Sequence, residues 1–201
     1  MSRINIILGN QLFPITDLPF LKEDIIFMSE DQGLCTDVKH HKSKIALFYR
    51  AMRSYRDKLR ENGFKVMYFD CEDKFKVPFL DKLEIAISSS KVSEIGIFEV
   101  EDKSFENDLN QFIKLKGYSL NTHNTKMFMD SRASFRTYVD GKKTVLMANY
   151  YKKQRKTLDI LVDGNEPEGG KWSYDELNRQ KLPKDYIVPN LPGIAEHEDE
   201  K

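Results

Sequence analysis

The sequence predicts an α/β fold: a five-stranded, mainly parallel sheet with helices on both faces, followed by a small helical and irregular appendage. Three observations carry this. Short apolar runs of strand length alternate with longer stretches of helical periodicity from the N-terminus to His123. The first run contains Ile6-Ile7-Leu8 without interruption, as in a central strand buried on both faces. Beyond Thr125 the alternation stops, and basic segments marked by glycine and proline take over.

The opening stretch Ile4 to Phe13, INIILGNQLF, is an apolar strand that stops at Gly9, where the backbone turns and a side chain would clash. It then offers two amides, Asn10 and Gln11. Ligands of open α/β sheets bind beyond the carboxyl ends of the strands, so Gly9, Asn10 and Gln11 stand where a site belongs. An ordinary strand-to-loop turn is the competing reading. Pro14 and Pro19 mark a loop, and Asp24 to Glu30 repeats the first pattern, closing on polar Ser29, Glu30 and Asp31. Two such strand ends can wall one cleft.

Cys35 to Lys39 reads as a polar turn with Thr36 or Asp37 as helix N-cap. The helix runs from Val38 to Asn62, because Ile45, Phe48, Met52, Tyr55 and Leu59 recur on one face and Gly63 closes it. A third strand covers Phe64 to Phe69, a helix Phe79 to Ser90, and a fourth strand Ile95 to Phe98. The helix Lys103 to Lys116 ends at Gly117 and leads into a fifth strand, Tyr118 to His123. Helices follow over Ser131 to Tyr138 and Met147 to Thr157, separated by the Asp140-Gly141 turn. Asp163-Gly164, Pro167 and Gly169-Gly170 mark an irregular segment that carries the only tryptophan, Trp172. These readings divide the chain into an α/β domain over 1–124, a helical and irregular extension over 125–189, and an acidic tail over 190–201 that is expected to be disordered.

In the 201 residues, Lys+Arg and Asp+Glu balance at 32 each, which excludes a global basic field for nucleic acid. No apolar run approaches the roughly 18 residues of a membrane span, and the N-terminus lacks a signal-peptide core. Cys35 and Cys71 fit neither a disulfide framework nor a four-cysteine centre, so a reduced cytoplasm is the expected setting.

His40-His41 diverge by about 100° on a helix and cannot readily chelate one ion. One of them is expected to line the cleft or cap the helix. Lys42 and Lys44 share the first helical turn, where N–H groups already suit an anion, although a solvated charge run reads equally well. Glu30 and Asp31 could act as an acid/base pair, but no Ser/His/Asp or Cys/His pattern accompanies them. Neither GxGxxG nor GxxxxGK followed by Ser or Thr occurs, so both phosphate-cradling fingerprints are absent. The stretch ANYYKKQRK could meet a nucleic-acid backbone, but a solvated helix face with core tyrosines is favoured. The residues by themselves lead to an α/β domain with a polar cleft.

Four segments in order carry a resemblance: GNQL, HHKSKIALFYRAMR, MFMDSRASFRTYVDGKKTVLMANYYKKQRK and GGKWSYDELNR. They resemble the prokaryotic photolyase-related proteins, the cryptochrome/photolyase branch that includes the bacterial (6-4) photolyases with an iron–sulfur cluster. The family versions of three of them read approximately GDQL, HHKKKIAFxxSAMR and GGxWNFDxxNR, and the likeness runs from residue 3 to about Pro189. It implies a Rossmann-like antenna domain for light-driven DNA repair or blue-light sensing, holding 6,7-dimethyl-8-ribityllumazine. By position, Gly9, Asn10, Gln11, Glu30, Lys44 and Ile45 fall beside that chromophore. Asn10 replaces the family's aspartate, keeping an acceptor, gaining a donor and losing the charge. FAD and the 4Fe-4S cluster are implied only for a C-terminal domain that this chain lacks, with DNA met only indirectly through it. This leaves the chain inactive alone and partnered by that domain or by a separate protein. A stand-alone Rossmann-like binding or interaction module without chromophore is the alternative.

Overall fold

The computed structural model describes residues 3–72, 74–175 and 178–190; nearly all of the acidic tail expected over 190–201 lies outside them. The chain divides into two compact units, the first Met1–Phe128 and the second starting at Met129.

In the first unit the strands are β1 (Ile4–Ile6), β2 (Ile25–Ser29), β3 (Lys65–Phe69), β4 (Glu94–Phe98) and β5 (Ser119–His123). They form one sheet in the order β3-β2-β1-β4-β5, and all four pairings are parallel. Helix α2 (Lys42–Glu61) packs Met52, Tyr55 and Leu59 with Ile7, Ile26 and Met28. On the opposite face, α3 (Phe79–Ser90) and α4 (Lys103–Lys116) pack with Ile4, Ile6, Phe27, Ile95 and Ile97. This is the Rossmann-like α/β fold expected from the sequence, with a sheet that is parallel throughout.

Two local features differ from expectation. A one-turn helix, α1 (Gln32–Thr36), stands where a polar turn was expected, because the Asp31 carboxylate accepts from Leu34 N at 3.1 Å and caps it. Helix α2 therefore begins at Lys42 rather than Val38. Its cap is His41, whose Nδ1 accepts from Ser43 N at 3.2 Å, and neither Thr36 nor Asp37. The crossover from β1 to β2 contains no α-helix. Leu12, Phe13, Ile15 and Leu18 lie against the α2-side core, and the Tyr55 hydroxyl donates to Phe13 O at 2.6 Å.

The sheet interior holds one polar cluster that apolar patterning does not reveal. Asn5 is buried in β1 and donates through Nδ2 to Asp24 at 3.1 Å. Asp24 also accepts from the backbone N–H groups of Arg3 and Leu21, which anchors the start of β2. The cross-strand neighbour of Asn5 is Gly96, where an added Cβ would sit 2.1 Å from Asn5 Oδ1. Glycine is thus needed in β4 to leave room for an amide.

The second unit contains α5 (Arg132–Val139), α6 (Met147–Leu158) and a two-stranded antiparallel hairpin, β6 (Val162–Asp163) with β7 (Glu166–Pro167). The hairpin replaces part of the expected irregular segment; Gly164 supplies the positive φ of 59° at its turn. The Asp130 carboxylate accepts from the Tyr150 hydroxyl and from Gln154 Nε2, and Phe135 meets Tyr150 edge-on at 5.0 Å. The Arg155 guanidinium donates to the carbonyls of Ile160, Leu161 and Trp172.

Gly96→Ala is expected to destabilise the chain by about 1–3 kcal/mol in urea denaturation, because the new methyl group must displace Asn5 from Asp24. An unchanged midpoint would show that the Asn5 site is loose.

Candidate functional site

The order of strands reverses between β1 and β4, and the crevice of an α/β sheet lies beyond the carboxyl ends at such a point. A cleft of about 1040 Å³ occupies this edge. It is bordered by Gly9 and Asn10 after β1, by Ser29 and Asp31 after β2, by α1, and by the first turns of α3 and α4.

Its main apolar wall comes from α2. The ridge that is buried at Met52, Tyr55 and Leu59 continues toward the helix N-terminus as Ile45 and Phe48, which line the cleft. Ile45 is half-buried and Phe48 is 39% exposed, so the ridge leaves the core and enters open space. Gly9 makes this possible: a Cβ there would lie 2.8 Å from Met52 Sδ and 3.6 Å from Phe48 Cδ1. The bare backbone of the β1 loop lets α2 approach.

Of the six residues singled out from the sequence, Gly9, Asn10, Lys44 and Ile45 line the cleft. Lys44 Nζ lies 3.4 Å from His40 Nδ1 on its rim. Gln11 and Glu30 are fully buried and are held by the protein itself. Gln11 Nε2 donates to Glu99 O at 2.9 Å and to Glu101 Oε2 at 3.2 Å, tying the β1 loop to the end of β4.

Glu30 accepts four hydrogen bonds. Arg53 Nε and the Tyr68 hydroxyl reach Oε1, both at 2.7 Å, while Arg53 Nη2 at 3.0 Å and Cys71 N at 2.8 Å reach Oε2. Burial pushes the pKa of this carboxyl up, but Arg53, Tyr68 and Cys71 together hold it below its ordinary value of 4.5. Burial and the neighbouring Glu30 charge push the Tyr68 hydroxyl well up.

Asp31 faces the other way, as alternation along a strand end requires. Its Oδ2 lies 2.9 Å from Lys82 Nζ, and that fully buried ammonium also donates to Glu30 O at 2.7 Å. The Tyr49 hydroxyl donates to Asp31 O at 3.0 Å, and burial raises its pKa. The sequence reading missed Lys82, although a signal was present. It lies three residues after Phe79 and beside Leu83, in the buried register of α3.

Three of the helix N-termini near the cleft are capped by side chains of this chain, and that of α3 is not. Asp31 caps α1, His41 caps α2, and Asp102 caps α4 by accepting from Phe105 N at 2.9 Å. Pro78 leads α3, with Asp81 in its first turn. Among the described residues no group of three or more His, Cys, Asp or Glu side chains could hold a metal ion. Cys35 and Cys71 are both free thiols. No helix among the described residues is long and apolar enough to cross a membrane.

Comparison with known proteins adds a relationship across the whole chain. The family model described as "Deoxyribodipyrimidine photo-lyase-related protein" matches residues 5–200. A (6-4) photolyase of Agrobacterium fabrum is 30% identical over 199 residues, covering 97% of this chain but 39% of the relative, in its N-terminal part. An uncharacterized protein of Acanthamoeba polyphaga mimivirus is 26% identical over 201 residues, covering 94% of this chain and 99% of the relative.

Glu30→Gln is expected to destabilise the chain by about 1–3 kcal/mol at neutral pH, since a charge-assisted pair with Arg53 is weakened. The folded-state pKa of Glu30 lies below its unfolded value, so this stabilisation is fully present above the ordinary 4.5 and is lost as pH falls through the native titration. Urea titrations should therefore show the gap between wild type and variant closing toward acid; a pH-independent gap would contradict the assignment.

Proposed function

Because the chain belongs to the deoxyribodipyrimidine photo-lyase-related protein family, we propose that its first unit is an antenna-chromophore domain serving light-driven DNA repair or blue-light sensing. The ligand of the cleft, on this reading, is a ribityl-substituted heteroaromatic compound, with 6,7-dimethyl-8-ribityllumazine as its type. The observation that supports it most is the apolar ridge of α2, which emerges from the core into the cleft beside the side-chain gap at Gly9.

Ile45 and Phe48 supply the contact that a flat ring needs. Asn10, Ser29 and Lys44 supply donors and acceptors for a polyhydroxylated chain. Glu30 and Gln11 act one step back: they fix the ends of β2 and β1, so that Ser29 and Asn10 are held in place. When bound, such a chromophore absorbs violet light and passes the excitation to a flavin. FAD and the 4Fe-4S cluster belong, in this proposal, to a C-terminal domain or a separate partner protein, and DNA repair itself is carried out there.

One observation favours the second reading, a stand-alone module without chromophore. The mimivirus relative is matched over 99% of its length, so a chain of this extent occurs as a whole protein.

The two readings separate in a titration of the full chain with 6,7-dimethyl-8-ribityllumazine followed by fluorescence polarisation. Antenna binding requires saturable polarisation and a loss of about tenfold or more in Ile45→Asp or Phe48→Ala, and tighter binding by Asn10→Asp would show that the native Asn weakens the site. No polarisation change up to about 1 mM ligand would leave the interaction-module reading.

A further inference from the structure

Gly9 and Asn10 are the middle residues of a tight turn. Gln11 N donates to Leu8 O at 2.9 Å and Phe13 N donates to Gln11 O at 2.9 Å, so the chain folds back soon after β1. Leu8 anchors one end of this turn in the core. The other end depends on the Gln11 side chain. That amide is fully buried, and among the described residues its Oε1 accepts no hydrogen bond. Its orientation therefore rests on Nε2, which donates to Glu99 O and Glu101 Oε2.

Beyond β4, Val100 and Asp102 border the cleft, whereas the alternate residues Glu99 and Glu101 do not. The Glu101 carboxylate is divided between two donors: Oε2 takes Gln11, and Oε1 takes the Thr125 hydroxyl at 2.7 Å. Thr125 is held a second time, its N–H donating to Glu99 Oε2 at 3.2 Å. The same hydroxyl accepts from Met127 N at 3.2 Å, closing a turn in the segment that follows β5. Hydrogen bonds thus run unbroken from that segment, through Glu101 and Gln11, to the turn that carries Asn10. All of these residues belong to the first unit. Closing the sheet does not require this bridge, because β4 and β5 are already paired from Glu94 with Ser119 to Phe98 with His123, and Glu99 N donates to His123 O at 2.8 Å.

Resting on the reading of the cleft as an antenna site, we propose that Glu101 and Thr125 are positioning residues for it: acting through Gln11, they hold the turn at Gly9 and Asn10 in the shape that receives the ligand. Neither side chain borders the cleft. Glycine and asparagine both tolerate a wide range of backbone angles, so a turn built from them does not fix its own shape. A ligand that meets a turn of several shapes binds more weakly, by the fraction of chains in the receptive one. A carboxylate shared between Gln11 and Thr125 raises that fraction, because bonds to a charged acceptor are stronger than bonds to a neutral one. The residues that follow β5 thereby set the affinity of a site built at the ends of β1 and β2.

The test uses the full chain as wild type and as Thr125→Val, Thr125→Ser and Glu101→Gln, with two readouts. Amide hydrogen exchange without ligand reports on the turn itself, and fluorescence polarisation of 6,7-dimethyl-8-ribityllumazine reports on the cleft. Thr125→Val and Glu101→Gln should each speed exchange at residues 9–11 about fivefold and weaken lumazine binding by about the same factor, through the loss of one hydrogen bond in the relay. Thr125→Ser keeps the hydroxyl and should match wild type. Exchange within β2 should stay the same in every variant. Unaltered exchange at residues 9–11 in Thr125→Val and Glu101→Gln would overturn the proposal. So would equal acceleration within β2, which marks a general loosening of the sheet, or a loss in Thr125→Ser as large as in Thr125→Val. Undiminished lumazine affinity in Thr125→Val and Glu101→Gln would also overturn it and leave the antenna reading intact. A turn that loosens as expected in a chain whose wild type binds no lumazine would support the relay and sink the antenna reading instead.

Discussion

The first unit depends on two consecutive carboxylates at the end of β2. Glu30 and Asp31 leave the strand toward opposite faces, and each meets a cation brought by a different helix: Arg53 from α2 and Lys82 from α3. Desolvating four charges in so small a volume is unfavourable unless every one is paired and hydrogen-bonded. Here Arg53, which keeps partial contact with solvent, grips Glu30 with two hydrogen bonds, Tyr68 and Cys71 N complete the Glu30 shell, and Lys82 pairs with Asp31 while donating to Glu30 O. The result is a knot that fixes β2, β3, α2 and α3 relative to one another. Removing one partner of such a buried pair leaves an uncompensated charge, which costs far more than the pair contributes to net stability. The cleft inherits its walls from that fixed arrangement.

The architecture was legible because its signals are local. Phe79–Ser90 and Lys103–Lys116 emerge with the boundaries their periodicity and flanking residues indicate, and β2 to β5 fall within a residue of the apolar runs that announced them. The start of α2 was not legible. Apolar spacing says where a helix face lies but not which of several polar residues captures the first free N–H groups. Asp31 took that role for α1, and the extended backbone at His41 postponed α2 to Lys42. The family relationship was legible from four short segments in order, and the match over residues 5–200 supports it across the chain.

The site was only partly legible, for a different reason. Gly9, Asn10, Lys44 and Ile45 reach the cleft because strand ends and the first turn of a following helix must meet there. The fate of Glu30 depends on Arg53, distant in sequence, and on Tyr68, which side of β3 it occupies being set by register with β2. A polar side chain at a strand end looks the same whether it greets a ligand or a buried guanidinium. Asn5 with Asp24 and Gly96 illustrates the same limit inside the sheet: Asn5 donates to Asp24 in the space that Gly96 leaves, and no one-dimensional pattern links the three.

The self-capped helices have a broader meaning. Sheets of this topology commonly hold nucleotides by leaving helix N–H groups bare at the strand ends, where a phosphate completes them. In this chain a carboxylate caps α1 and α4 and an imidazole caps α2, while α3 follows Pro78 without a side-chain cap. At α1 and α4 a carboxylate already accepts from one of the first N–H groups that a phosphate would use, and at α2 an imidazole does. The capping residues, rather than the floor of the cleft, thus set how many helix N–H groups remain open at the strand ends.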